Sequence, residues 1–192
     1  IRTSVTRLQR LIEDLLNFNI VLDSTSLQDS IQIDVNAVVE CVLLAHKLDI
    51  KRKHLVVHNS FAGIHVQSNE KQLNVIVDNL VSNAIKYSPD HGEITIDCRL
   101  IDKHLLISVT DQGSGIDAAQ QERIFDAFYQ GSPPPDNHIK SSGLGLTIVK
   151  ELLMRINGKI EIQSKTSEIS GTQVTITLPK AQYISKQHIG KE

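Results

Sequence analysis

The sequence is poor in cysteine, with only Cys41 and Cys98 among 192 residues. The two lie far apart, without a CxxC pair or a nearby pair of histidines, which argues against a zinc site and a disulfide framework. Cysteine is usually buried when it is not reactive, so we expect two free, buried thiols in a reducing compartment.

Long apolar runs and a strong net charge are also missing. The longest apolar stretch, Val38 to Ala45, is interrupted by Glu40, so neither a membrane span nor a signal peptide is expected within these residues. We expect them to be cytoplasmic, although other segments can anchor the whole protein to a membrane. With 20 basic and 22 acidic residues the formal net charge is -2, which offers no global attraction to nucleic acid or an anionic bilayer. Phosphate binding would have to be local.

What is present is enough for a sizeable core, since 40% of the residues are hydrophobic, and one main domain with an appendage is expected. The appendage opens the chain with a heptad seam that breaks at Asn19. Its apolar positions are Ile1, Val5, Leu8, Ile12, Leu15 and Leu22. A short helix is marginal alone, so this helix needs a partner. We expect a helix over residues 1–24, a main domain over 25–180 and a polar tail over 181–192.

Hydrophobic periodicity and turn signals predict the order of elements in the main domain. Helices are predicted near Val35 to Lys51, Asn69 to Lys86, Asp117 to Phe128 and Ser142 to Ile156. Strands are predicted near Gln32, His54 to Asn59, Gly92 to Arg99, His104 to Thr110, Lys159 to Ser164 and Thr172 to Leu178. Gly131 to Ser142 holds three consecutive prolines and predicts a mobile surface loop. Helices over one face of a mixed or antiparallel sheet give a two-layer α/β sandwich.

The helix from Asn69 to Lys86 carries a polar face beside its apolar stripe. Asn79, Asn83 and Lys86 share that face at spacings of four and three. Amide oxygens suit Mg²⁺, and a lysine suits the phosphates that share the metal. A solvated polar face is the alternative.

Asp111 ends a predicted strand and is followed by Gly113 and Gly115. A carboxylate at a sheet edge, beside residues that allow close approach to the backbone, can accept a hydrogen bond from the exocyclic amine of adenine. An ordinary glycine-rich turn is the alternative.

Ser141 to Leu146 opens the last helix with flexible backbone at a positive helix end, which favours phosphate binding. Serine capping of that helix is the alternative. Neither GxxxxGK[ST] nor a GxGxxG after a strand occurs, which excludes a P-loop and a dinucleotide fold. Phe125 and Phe128, with Tyr129, stand before the proline-rich loop. We expect them to be core anchors that also serve as the hinge of a lid.

Taken in order, the segments NLVSNAIKYSP, DQGSGI, IFDAF and GLGL resemble the N, G1, F and G2 boxes of the histidine-kinase catalytic domain. That domain belongs to a superfamily shared with DNA gyrase, mismatch-repair ATPases and heat-shock chaperones. The resemblance extends from about Ile31 to Pro179 and implies a Bergerat ATP-binding fold with an ATP lid over Asp117 to Ser142. The opening RLQRLIEDLLNFN resembles the second helix of the dimerisation and phosphotransfer hairpin.

The resemblance also implies a set of site residues for ATP or ADP and Mg²⁺. Asn79 and Asn83 would hold Mg²⁺ and phosphate, and Lys86 would contact phosphate. Tyr87 would line the pocket, and Asp111 would receive the adenine amine. The remaining nucleotide-binding residues would be Gly113, Gly115, Ile116, Phe125, Phe128, Gly143, Leu144, Gly145, Leu146 and Thr172.

The implied reaction transfers the γ-phosphoryl group of ATP to a histidine and then to an aspartate of a response regulator. None of the eight histidines lies in the H-E-x-R-T-P type of setting, so no catalytic acceptor is expected in this sequence. The intact protein would be a homodimer built on a four-helix bundle. Ser141, Ala127 and Gln130 depart from the family pattern, and Lys140 is a candidate to replace the missing lid arginine.

Two alternatives compete with this interpretation. The missing lid arginine motivates a kinase-derived regulatory module with weak or no nucleotide binding. A gyrase-like ATPase or an anti-sigma serine kinase would share the fold, but neither explains the heptad helix that leads into the domain.

Overall fold

The computed structural model describes residues 31–59, 63–102, 104–131, 142–166 and 170–179. The predicted opening helix, the proline-rich part of the loop after residue 131 and the polar tail lie outside the described residues. The domain boundaries proposed there therefore stay predictions.

Seven strands and five helices make up the described part of the chain. The strands are β1 (Ile31–Asp34), β2 (Val56–Asn59), β3 (His65–Ser68), β4 (Glu93–Ile101), β5 (His104–Asp111), β6 (Lys159–Lys165) and β7 (Gly171–Pro179). The helices are α1 (Val35–Ala45), α2 (Lys47–Arg52), α3 (Glu70–Tyr87), α4 (Ala118–Gln121) and α5 (Gly145–Arg155). A 3₁₀ turn, Arg123–Phe125, follows α4.

The main sheet has five strands in the order β2-β4-β5-β7-β6. Strand β2 runs parallel to β4, and the other neighbours are antiparallel, so the sheet is mixed. A second sheet pairs β1 with β3 in antiparallel orientation. Strand β3 was not predicted, because only Val66 of its four residues is buried and the strand is too short to show an alternation.

One face of the sheet and the helices share a single hydrophobic core. Alternate residues of β4 and β5 are buried, as expected for strands with one covered face. Helices α3 and α5 contribute apolar side chains such as Leu80 and Leu152, at most 2% exposed, and α1 packs against α3. The predicted two-layer α/β sandwich is therefore confirmed.

The limits of the two long site helices agree with their sequence signals. Asn69 caps α3, since its side chain accepts a hydrogen bond from the Gln72 N–H at 3.1 Å. After α5, Asn157 adopts a left-handed backbone with φ of 55°. The Gly158 N–H then donates to the Leu153 carbonyl at 2.7 Å, which closes the helix as predicted.

Three local predictions were wrong. The helix predicted over Asp117 to Phe128 is only a four-residue helix and a 3₁₀ turn, because neither piece has a buried residue to hold a longer helix against the core. The helix predicted to reach Lys51 is broken at His46, where φ and ψ are -92° and 8°. Cys98 is buried in β4 as predicted, but Cys41 on α1 is exposed.

In the described part of the chain, no helix combines the length and the apolar character that a membrane crossing requires.

Replacing Leu152 in α5 with alanine should lower the free energy of unfolding by about 3 kcal/mol, because its fully buried side chain would leave a cavity. Leu48→Ala is the matched control, since Leu48 is 82% exposed and its loss should cost less than about 0.5 kcal/mol. Denaturant unfolding of both variants measures the difference. Equal costs would contradict the assigned core.

Candidate functional site

A cavity of about 690 Å³ lies where α3, the end of β5 and the start of α5 meet. Most of the residues predicted for the site line this cavity. They are Asn79, Asn83, Lys86, Tyr87, Asp111, Gly115, Ile116, Gly143, Gly145, Leu146 and Thr172. The structure therefore brings together four sequence segments that lie far apart in the chain. The size is within the range of small-molecule sites.

The polar face of α3 forms one wall of the cavity. Asn79 and Asn83 are half-buried, whereas Lys86 is only 5% exposed. The side-chain amide of Asn79 donates to the Val75 carbonyl one turn earlier at 2.7 Å. This bond leaves the amide oxygen of Asn79 directed away from its own helix backbone, and the face is not simply solvated.

Gly145 shows how closely α3 and α5 approach each other. A Cβ atom at this position would collide with the amide oxygen of Asn79. The first residue of α5 therefore has to be glycine if Asn79 keeps its orientation.

Lys86 and Tyr87 form a pair at the end of α3. The Lys86 Nζ donates to the Tyr87 hydroxyl at 2.9 Å and lies 4.4 Å from the centroid of the tyrosine ring. A cation over an aromatic face is stabilised by the ring quadrupole. The pair thus holds a buried ammonium group at the cavity wall, where it can meet an anion.

Asp111, at the end of β5, places a carboxylate in the wall of the cavity. Its side chain is buried, and Oδ1 accepts the Gly113 N–H at 2.8 Å. Burial raises the pKa of Asp111 to about 6, although backbone hydrogen bonds from Gly113 and Thr172 and the positive charge of Lys53 act in the opposite direction. A desolvated carboxylate of this kind is a strong acceptor for an amino group.

Glycines let the loop after Asp111 run against other backbone. A Cβ atom on Gly113 would lie 2.8 Å from both Asp111 Oδ1 and the Tyr87 carbonyl. Gly115 has a φ of 77°, and a Cβ atom there would collide with the Lys165 carbonyl. The loop is therefore packed tightly between the end of α3 and the end of β6. Gly113 itself does not line the cavity and acts through these contacts.

Ser164 anchors this loop and was missed in the sequence. Its hydroxyl accepts the Ile116 N–H at 2.8 Å, donates to the Gly171 carbonyl at 3.0 Å and lies 2.8 Å from the Thr172 hydroxyl. The contact depends on the register of β6 against β7, which places Ser164 opposite Thr172. A single sequence carries no signal for that register.

The start of α5 forms the third wall. Gly143 has a φ of 78°, and the Ser142 hydroxyl accepts the Leu144 N–H at 3.1 Å. Leu144 is the N-cap residue and supplies no side-chain cap. Ser142 therefore shapes the turn before the helix and leaves the first-turn N–H groups of α5 without a serine cap. Uncapped N–H groups at a positive helix end favour an anion. Leu144 itself points into the core.

The prediction that Phe125 and Phe128 are core anchors was wrong for Phe128. Phe128 is 62% exposed with a φ of 65°, and only its backbone is anchored, through an N–H bond to the Gly143 carbonyl at 3.0 Å. Phe125 is half-buried, and its carbonyl accepts the Thr147 hydroxyl at 3.0 Å. Neither ring lines the cavity, so their roles in ligand binding stay predictions.

Only some of the residues that depart from the family pattern lie within the described part of the chain. Ala127 and Gln130 are exposed, and Gln130 lines the cavity. Ser141 and Lys140 lie outside the described residues. Nearby, the guanidinium group of Arg123 stacks 4.5 Å from the ring centroid of Tyr129, which also lines the cavity. An arginine therefore stands close to the site, although it was not predicted there.

A hydrogen-bonded pair, His46 and Asp78, connects the α1–α2 junction to α3. Nε2 of His46 lies 2.8 Å from Asp78 Oδ1, and both residues line the cavity. The hydrogen bond to Asp78 raises the pKa of His46, against the opposing effect of burial. No local sequence signal points to His46, because its partner lies on another helix.

Across the described ranges, no group of three or more His, Cys, Asp or Glu side chains is placed to hold a metal ion. The amide oxygens of Asn79 and Asn83 are candidate ligands for a metal that would take its remaining ligands from a bound ligand and water. Mg²⁺ is the common biological ion that accepts such a set, because it keeps several waters and shares substrate phosphates.

Comparison with known proteins identifies the family. The family model for histidine kinase-, DNA gyrase B- and HSP90-like ATPases matches residues 68–182. The heme sensor protein HssS of Staphylococcus saprophyticus is 30% identical over 175 residues, which are 91% of this chain and 37% of that protein. The sensor histidine kinase WalK of Bacillus subtilis is 36% identical over 118 residues, 60% of this chain and 19% of that protein.

Solved structures agree with this result. The mycobacterial sensor histidine kinase MprB superposes with a TM-score of 0.67 at 26% identity, covering 79% of this chain and 97% of that chain. Full-length ShkA in complex with AMPPNP gives a TM-score of 0.78, covering 96% of this chain and 38% of that chain. Its identity of 22% supports the fold alone.

The chain therefore belongs to the histidine kinase-, DNA gyrase B- and HSP90-like ATPase family. Within that family it corresponds to the ATP-binding catalytic domain of a sensor histidine kinase, as the four boxes predicted. Relatives that are sensor histidine kinases disfavour the regulatory-module alternative. The chain spans less than half the length of these relatives, 37% of HssS and 19% of WalK.

Affinity for ADP should fall as the pH drops through about 6, because protonation of Asp111 removes the charged acceptor. Calorimetry from about pH 5 to about pH 8 measures it. Asp111→Asn should bind at least about tenfold more weakly at neutral pH and lose this step. Asp102→Asn, an exposed position at the other end of β5, should behave like the wild type. An unchanged step in Asp111→Asn would contradict the assignment.

The stability of the nucleotide-free protein should change in the opposite direction. The pKa of Asp111 is raised from 3.8 to about 6 by folding, so its contribution to stability is full below pH 3.8 and is lost as the pH rises through about 6. A shift of this size corresponds to about 3 kcal/mol. Asp111→Asn should therefore gain stability relative to the wild type between about pH 4 and about pH 7. Denaturant unfolding measures that difference.

Proposed function

We propose that this chain binds ATP or ADP with Mg²⁺ in the cavity between α3, β5 and α5, and forms the ATP-holding half of a phosphotransfer enzyme. The observation that carries the proposal is the presence of opposite chemistries in one cavity. Asp111 contributes a buried carboxylate, Lys86 contributes a buried ammonium group, and the start of α5 contributes a positive helix end.

The carboxylate of Asp111 suits the adenine base of the nucleotide. Asp111 would accept a hydrogen bond from the exocyclic amine of adenine, and the glycines after it allow a planar ring to approach the backbone. Gly115, Ile116 and Thr172 would complete the adenine environment. The hydroxyl of Thr172 lies 2.8 Å from that of Ser164, and this hydrogen bond fixes its position in the wall.

The polar face of α3 and the start of α5 suit phosphates and a metal ion. The amide oxygens of Asn79 and Asn83 would bind Mg²⁺, which neutralises charge on the phosphates when it is bound. Lys86 would contact phosphate, with Tyr87 supporting it. The uncapped backbone N–H groups of Gly145 and Leu146, with the turn at Gly143, would face the triphosphate. These roles need positioning and charge neutralisation, which dominate phosphoryl transfer.

The reaction we propose moves the γ-phosphoryl group of ATP to an acceptor that these residues do not supply. The bond between the γ-phosphorus and the bridging oxygen breaks, a bond to an imidazole nitrogen forms, and ADP is released. The histidine would lie on a hairpin helix of the intact protein, a homodimer built on a four-helix bundle. The phosphoryl group would then pass to an aspartate of a response regulator in the cytoplasm.

Asn83→Ala should remove most of the contribution of Mg²⁺ to nucleotide affinity. Calorimetry with a non-hydrolysable ATP analogue, with Mg²⁺ and with chelator, measures that contribution as a ratio of dissociation constants. We expect the ratio to fall at least about fivefold in Asn83→Ala, because one of two amide ligands is lost. Asn59→Ala, at an exposed position on β2, should keep the wild-type ratio.

Two results would contradict this assignment. Absence of any nucleotide binding by the wild-type chain would refute the proposed function itself. A wild-type Mg²⁺ ratio in Asn83→Ala would refute only the role of this asparagine.

The 192-residue chain should not phosphorylate itself, because no histidine lies in the acceptor setting. Incubation with γ-labelled ATP, followed by separation at alkaline and at acid pH, measures acid-labile phosphate. A second reaction contains a purified hairpin from a related sensor kinase, which supplies an acceptor histidine. Label on that hairpin would show that the chain transfers phosphate as well as binding ATP. Acid-labile phosphate that accumulates on the chain in the absence of the hairpin would contradict this prediction.

A further inference from the structure

Lys53, between α2 and β2, is a buried lysine with no assigned role in the proposed reaction. Its side chain is 2% exposed. The Nζ atom donates to the backbone carbonyl oxygens of Ile85 at 2.8 Å, Lys86 at 3.1 Å and Ser88 at 2.5 Å. An ammonium group carries three N–H donors, so three convergent carbonyls match it completely.

These carbonyls belong to the C-terminal end of α3 and the residue that follows it. The last carbonyls of a helix have no partner within the helix, and they form the negative end of its dipole. A buried ammonium group is costly unless it is fully hydrogen-bonded, and charge-assisted bonds are stronger than neutral ones. The contact therefore fixes the last turn of α3 from outside the helix.

The fixed turn carries two residues of the nucleotide site. Lys86 offers its carbonyl to Lys53 while its own Nζ stands at the cavity, bonded to the Tyr87 hydroxyl at 2.9 Å. The Tyr87 carbonyl packs against Gly113, where a Cβ atom would approach it to 2.8 Å. Gly113 in turn donates its N–H to Asp111. One chain of direct contacts thus leads from Lys53 to Lys86, Tyr87 and Asp111 in the cavity wall.

We propose that Lys53 is a positioning residue of the nucleotide site, which holds the end of α3 so that Lys86, Tyr87 and Asp111 keep their places around the ligand. It does not line the cavity and acts through the α3 end. The inference rests on the proposed function, since it concerns the same site. The electrostatic effect of Lys53 on Asp111 agrees with it, because the lysine charge favours the ionised carboxylate.

The test compares Lys53→Met, which keeps the length of the side chain and removes the charge, with Lys51→Met, an exposed position on α2. Binding of ADP with Mg²⁺ is measured by calorimetry across pH. Lys53→Met should bind about tenfold more weakly at neutral pH, because small displacements of site groups are costly. Its pH midpoint of binding should move upward, because the charge that favours ionised Asp111 is gone.

The other titratable groups around the cavity are unchanged in both variants. They are Cys41, His46, Asp49, Asp78, Lys86, Tyr87 and Tyr129. A residue that only stabilises the fold would lower the melting temperature and leave the affinity of the folded protein for ADP in place. A midpoint and an affinity equal to those of Lys51→Met would therefore overturn the proposal.

A second measurement does not depend on how well Lys53→Met folds. The NH₃⁺ resonance of Lys53 in the wild type, assigned by its loss in Lys53→Arg, should shift when ADP saturates the site. An unshifted resonance at saturation would overturn the proposal. Failure of the wild type to bind ADP would instead refute the proposed function, which the same titration detects separately.

Discussion

Helix α3 packs in the core and lines the cavity at the same time, and the rest of the structure depends on that constraint. Its 18 residues bury one apolar face against the sheet and turn an adjoining face of two amides and an ammonium group to the cavity. A period of 3.6 residues makes the two faces neighbours, so the helix cannot move in the core without moving the site. The core packing of Leu80 therefore also positions Asn79 and Asn83.

The burial of Asp111 costs stability at neutral pH, but it strengthens the carboxylate as a partner for a ligand. Burying Asp111 raises its pKa to about 6, which means that the ionised form is held in an unfavourable environment at neutral pH. Backbone N–H groups from Gly113 and Thr172 and the charge of Lys53 compensate only in part. A carboxylate in this state is poorly solvated and gains more from an amino group than an exposed one would.

Much of this architecture follows from sequence periodicity, because the pattern and the structure share one cause. Strands β4 and β5 alternate in burial, and α3 and α5 have caps and stop signals that are local in sequence. The box residues in those elements were therefore predicted together. The strand order β2-β4-β5-β7-β6 was not predicted, since pairing between distant segments leaves no local pattern.

The residues that were missed or misplaced have their partners elsewhere in the chain. Ser164 holds Ile116 across 48 positions, and Lys53 reaches Ile85 across 32. Their side chains are ordinary in sequence and acquire their roles only from tertiary contacts. Phe128 was predicted to be buried because it is aromatic, but its side chain is exposed. Only its backbone is anchored, through a hydrogen bond to Gly143. The tendency of a residue type to be buried concerns its side chain, whereas here the backbone makes the contact.

The two helix ends at the cavity explain why buried lysines are needed in a chain with almost no net charge. The N-terminal end of α5 is positive and suits an anionic ligand without further help. The C-terminal end of α3 is negative and would repel the same ligand. Lys53 neutralises that end from the protein side, and Lys86 presents a second positive charge at the cavity wall. The ends of two helices, two lysines and the lining aspartates, Asp111 above all, therefore act together on a ligand at the site, and the overall charge of -2 does not determine the local field.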